Sequence, residues 1–111
     1  MNKRNATLTH EELKAETYVR TAIKFDLGQV VMTQGISCLL SHNIGANLQL
    51  YLMRHKNGDW GTVCIDDKMV NDEATRTGER LLSSYPFCGE TLWIITEADR
   101  SVTTVLLPSE Y

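Results

Sequence analysis

The chain predicts an α+β fold: an antiparallel sheet of about four strands with helices packed on one face, and a C-terminal β-hairpin at its centre. Two observations carry this. First, Leu92–Tyr111 holds two apolar, β-branched runs around a polar break at Glu97–Ser101, the pattern of a hairpin with buried arms and a charged tip. Second, Arg80–Phe87 is a further strand-like run joined to that hairpin by the short Cys88–Glu90 turn. Consecutive strands on short turns are normally antiparallel neighbours. Before these strands, apolar residues recur at helical spacing. With 111 residues there is material for one core.

In chain order, residues 1–8 read as a flexible tail and residues 9–111 as the domain. Thr9 followed by Glu12 forms a capping box, and a helix is expected from His10 to about Ile23 with a thin apolar stripe of Leu13, Tyr18 and Ile23. Phe25–Thr33 reads as the first strand, with Gly28 marking a bulge or a close backbone approach. After Gly35, the spacing of Ile36, Leu39 and Leu40 predicts a helix ending near Asn43 and Gly45. Asn47 can cap the next, whose Leu48, Tyr51, Leu52 and His55 share a face. Lys56–Gly61 is irregular, with Gly58 and Gly61 bracketing an Asp-Trp pair and requiring unusual backbone angles. Asp66–Thr77 predicts a helix with acidic residues in its first turn and Gly78 at its end. Arg80–Phe87 follows, and Pro86 places the end of this strand at an edge or in a turn. In the final hairpin, Leu92 and Ile94 point one way and Trp93 and Ile95 the other. Both faces are therefore partly apolar, so these strands are central or a partner covers the second face.

Composition narrows the function classes. A net charge of −3 gives no basic footprint for duplex DNA, and no helix carries a Lys/Arg cluster for phosphate contacts. Cys38, Cys64 and Cys88 are widely spaced, with no C-x-x-C and no His at ligand spacing. They are expected to be reduced, half-buried thiols in a cytoplasmic protein, without a zinc site. No apolar run reaches membrane-spanning length, and residues 1–8 are too polar for a signal peptide. No cofactor loop, hydrolase elbow or zinc-protease motif appears, so no metal or cofactor is expected.

Polar residues cluster at three places. Arg54, His55 and Asp59 flank the glycine turn beside Trp60. Arg80 begins a strand. Glu97, Asp99 and Arg100 form the hairpin tip, near Thr103 and Thr104. Folded together, His55, Arg80, Glu97 and Arg100 would suit phosphodiester chemistry: proton transfer by His or carboxylate, charge stabilisation by Arg. Arg54, Asp59, Trp60, Asp99, Thr103 and Thr104 would be binding residues around them. The alternative reading of each is structural. A charged tip is usually a solvated turn, His at a helix C-terminus is favoured by the dipole, and Trp60 suits a core plug.

From Phe25 onward the chain resembles a family of small proteobacterial proteins carried on plasmids and integrative elements. The resemblance rests on Phe25-Asp26-Leu27-Gly28, on Arg54-His55 with Gly58-Asp59-Trp60-Gly61, and on the runs Trp93–Ser101 and Thr103–Pro108. Members are sometimes labelled a type I restriction methylation subunit, a label that the missing methyltransferase motifs contradict here. The resemblance implies a setting of mobile elements in conflict with host defences. Separately, Arg80–Ser84 followed by the hairpin is similar in rhythm to the sheet of barnase-like and RelE-like ribonucleases, although Asp99-Arg100 stands where that pattern supplies Asp-His.

The expectation is thus an accessory protein of mobile elements that binds a host or element-encoded protein in an anti-defence role of the anti-restriction or anti-CRISPR type, a reading that leans away from an enzyme and leaves the question open. Aromatic anchors or the outer face of the hairpin would form its surface. The alternative is a metal-independent ribonuclease or toxin using His55, Arg80, Glu97 and Arg100. A DNA-binding dimer ranks lowest. A homodimer follows if an apolar sheet face would otherwise lie open.

Overall fold

The computed structural model describes Thr9, Glu12, Leu13 and residues 17–111. Its elements are β1 (Gln29–Met32), α1 (Gln34–His42), α2 (Gln49–Lys56), α3 (Ile65–Thr77), β2 (Leu81–Phe87), β3 (Glu90–Thr96), β4 (Val102–Leu106) and a 3₁₀ turn (Pro108–Glu110). The α+β class holds, and the hairpin β3–β4 occupies the middle of a four-stranded sheet of order β1-β4-β3-β2.

The sheet is mixed rather than antiparallel. β2–β3 and β3–β4 are antiparallel, as their short turns require, but β1 lies parallel to β4, with Gln29 beside Val102 and Met32 beside Val105. Antiparallel pairing follows only from a short turn; three helices separate β1 from β2, and so long a connection permits a parallel partner.

Local chemistry explains most boundaries. The Thr9 capping box is present, Thr9 N–H donating to Glu12 Oε1 and Glu12 N–H to Thr9 Oγ1, both at 3.1 Å. The expected helix does not reach Ile23, because residues 18–28 form an irregular arm; the intervening positions 10, 11 and 14–16 lie outside the described residues. This arm is tied to α3 instead: Thr21 N–H donates to Asp72 Oδ2 and Ile23 N–H to Thr75 Oγ1. The first strand is shorter than Phe25–Thr33. Gly28 adopts φ +64° with its Cα against the carbonyls of Arg100 and Ser101, where an added Cβ would lie 2.3 Å from Ser101 O. Asn47 Oδ1 accepts from Gln49 N–H at 3.0 Å at the start of α2, and Gly78 closes α3 at φ +83°. The β2–β3 turn puts both Cys88 and Gly89 at positive φ, as a two-residue hairpin loop requires.

Two apolar clusters fill the covered face of the sheet. Ile36 of α1, Leu48 and the α2 residues Tyr51 and Leu52 pack on Tyr85, Phe87, Leu92, Ile94 and Val105. At the other end Phe25 of the arm, Trp60 and Ala74 pack on Leu81. α3 lies along the outer edge of β2. Asn71 Nδ2 donates to Leu82 O at 2.7 Å and Leu82 N–H donates to Asn71 Oδ1 at 3.2 Å. Further along the same edge, Thr62 N–H donates to Ser84 O and Ser84 N–H to Trp60 O. The β2 edge is therefore sealed by a side-chain amide and a short piece of loop.

Candidate functional site

The structure separates most of the predicted site residues. His55 is 0% exposed, beside the apolar cluster of Phe25 and Trp60. Phe25 and Trp60 meet its ring edge-on, each at 5.5 Å between centroids. Its Nδ1 lies 2.5 Å from Ser83 Oγ and its Nε2 2.9 Å from Thr96 Oγ1. Thr96 Oγ1 lies 2.7 Å from Thr103 Oγ1, which donates at 2.7 Å to the carbonyl of Leu27. A carbonyl only accepts, so the whole chain is oriented by its last member. Thr103 donates to Leu27, Thr96 to Thr103, His55 Nε2–H to Thr96 and Ser83 to His55 Nδ1. One run of hydrogen bonds thus ties β2, α2, β3, β4 and the arm together. Burial, and secondarily the Arg100 charge, push the imidazole pKa down to about 3. His55 is a neutral structural group with both nitrogens engaged, and the expectation of a proton-transfer role fails on that geometry. Thr103 belongs to the same buried run and is not a surface binding residue.

Arg100 faces backbone rather than a ligand. At φ +62° its guanidinium donates to Ala74 O at 2.8 Å, Glu79 O at 2.6 Å and Glu97 O at 3.1 Å. It thereby satisfies carbonyls at the C-terminus of α3 and docks the hairpin tip there. Asp99 closes its own turn, accepting from Ser101 N–H at 3.0 Å and Ser101 Oγ at 2.6 Å. Trp60 is a core plug, 1% exposed, with Nε1–H donating to Asp72 Oδ1 at 2.9 Å. Arg54 and Asp59 pair at 2.7 Å, and this partner lowers the Asp59 pKa; the guanidinium also stacks 4.7 Å over the Tyr85 ring. Burial takes Trp60 out of its expected binding role, while Arg54, Asp59 and Asp99 each hold a partner within the fold and keep exposed surface. The three cysteines are exposed rather than half-buried.

Three predicted residues do come together, on the sheet face opposite the helices. Arg80 Nη2 and Nε donate to Glu97 Oε1 at 3.1 and 3.2 Å, and Arg80 Nη1 donates to Tyr111 Oη at 2.9 Å. The carboxylate raises the Arg80 pKa further. With Thr104, Ile95, Leu106 and Glu110 these residues line a shallow depression of about 210 Å³ with an apolar floor and a charged rim. Tyr111 also meets Trp93 edge-to-face at 5.6 Å. Glu110 anchors this corner, accepting from Thr33 Oγ1 at 2.5 Å and from Gly35 N–H at 2.9 Å, so the final residues cap α1. Tyr111, Glu110 and the buried Asp72 were not singled out by the sequence. An aromatic and an acid beside Pro108 carried only a weak signal, and Asp72 looked like one more acid on an exposed helix.

Among the described residues no cluster of three or more His, Cys, Asp or Glu side chains could hold a metal ion, and no helix is long and apolar enough to cross a membrane. Compared with known proteins, the chain matches no family model, no curated protein and no solved structure.

Proposed function

We propose that this protein is a small accessory protein that works by docking onto another protein, through the sheet face opposite its helices. The observation that carries the reading is the convergence of Arg80, Glu97, Thr104 and Tyr111 around the apolar floor of Ile95 and Leu106. Aromatic and Arg side chains over an apolar floor are the composition of protein-binding hot spots. The likeness of Phe25–Pro108 to proteins of plasmids and integrative elements supports a host or element-encoded target and an anti-defence role. Three exposed, unpaired cysteines fit a reducing, cytoplasmic setting.

The ribonuclease alternative relied on His55, whose nitrogens are both engaged inside the protein. Folded protein incubated with total RNA is accordingly expected to leave it intact. Docking is tested by placing a photocrosslinker at position 104. The same target should crosslink from host lysate with the wild type and be lost in Tyr111→Ala and in the swap of Arg80→Glu with Glu97→Arg, which keeps the ion pair but reverses its polarity. Equal crosslinking in all proteins, or none in any, removes this face as the binding surface.

A further inference from the structure

The two edges of the sheet are treated differently. Along β2 the backbone groups of Leu82 and Ser84 are paired to Asn71, Trp60 and Thr62. Along β1 the ladder to β4 uses alternate residues: Gln29 N–H donates to Ser101 O at 2.9 Å and Thr33 N–H to Val105 O at 3.0 Å. By that alternation Val30 and Met32 turn their N–H and C=O groups away from β4. Every residue of β1 is exposed, Val30 at 42%, Val31 at 38% and Met32 at 49%. The strand carries no charge, no proline and no bulge, the usual devices that keep an edge from pairing.

We propose that β1 pairs antiparallel with β1 of a second copy of this chain, about a two-fold axis at Val31. In this register Val30 lies opposite the partner's Met32 and Met32 opposite the partner's Val30, each pair exchanging both its N–H···O bonds. Val31 then meets its own counterpart on the open face. Two observations favour a second copy as the occupant. Residues 29–34 are free of charge, so the axis brings no like charges together. Moreover, the sealed β2 edges would form both ends of the joined sheet, so pairing stops at a dimer and cannot extend into a filament. A contact this small gives a weak, concentration-dependent dimer. It uses the backbone edge of β1, whereas the docking depression is lined by side chains of the neighbouring strands, with Thr104 beside Val31.

Sedimentation velocity across a concentration series tests it, with Val31→Lys and Val31→Glu, whose side chains are half-exposed and leave the core untouched. The wild type should shift from monomer to dimer, with the amides of Val30 and Met32 gaining protection from hydrogen exchange in step. Each variant alone should remain monomeric, and an equimolar mixture of the two should regain the dimer by pairing Lys with Glu across the axis. A wild type that stays monomeric up to about 1 mM overturns the proposal and leaves the edge to a strand from a different protein. Variants that dimerise as the wild type does, or a mixture that stays monomeric, overturn it equally.

Discussion

His55 illustrates how a reactive residue type becomes scaffold. A neutral imidazole with Nε2–H donating and Nδ1 accepting fits its buried surroundings, and protonation would put a charge there and remove the acceptor for Ser83. The folded pKa lies near 3 and the unfolded value near 6.5. The unfolded state therefore takes up the proton first, and stability, complete above about pH 6.5, falls on acidification by up to roughly 1.4 kcal/mol per pH unit until about pH 3. Urea unfolding of the wild type should show this slope more steeply than His55→Gln, since carboxylates such as Asp59 contribute to both. His55→Ala at neutral pH should cost about 3 kcal/mol, from a cavity plus unpaired Ser83 and Thr96 hydroxyls. Cys88 offers the opposite case. At φ +51° a Cys is strained where Asn is favoured, so Cys88→Asn should raise stability by about 0.5 kcal/mol in the same assay.

Among the elements, legibility followed the range of the interaction. The Thr9 capping box, the α3 boundaries with Gly78, the exposed Pro86 on an edge strand and the central hairpin were all readable, because neighbours within a few residues decide them. The parallel partner of β1 and the arm in place of a longer helix were not. Both depend on contacts such as Ile23 with Thr75 or Thr103 with Leu27, which leave no mark on local periodicity. The same holds for the site. Arg80 at a strand start and Glu97 at the hairpin tip were each singled out, but their pairing just beyond the ends of β2 and β3, like the approach of Tyr111, is set by register and tertiary folding. Side-chain sealing of the β2 edge makes a specific demand on α3. Asn71→Ala leaves the Leu82 N–H and C=O without partners and should destabilise by about 1–2 kcal/mol. Asn71→Asp keeps one bond and should fall between, as read by chemical denaturation.

For the whole molecule, the hairpin tip, the arm and α3 meet at one junction. Gly28 packs directly on the backbone of Arg100 and Ser101 while the Arg100 side chain holds the end of α3. Gly28→Ala strikes this junction with a forbidden contact at positive φ, so a loss of about 3 kcal/mol or more and a lowered melting temperature are expected. Arg100→Lys, which keeps the charge but not the fork of donors, should lose about 1–2 kcal/mol.

The parallel pairing of β1 with β4 also bears on how the chain is made. Leu27 waits for a partner 76 positions later, and Thr33 for one 77 positions later. While the polypeptide leaves the ribosome from its N-terminus, the arm and β1 emerge with nothing to dock on, and the strand that fills the centre of the sheet comes last. Nascent chains arrested before Val102 emerges should thus be cut readily by protease throughout. Resistance should arrive in a single late step, only once Leu106 has cleared the exit tunnel.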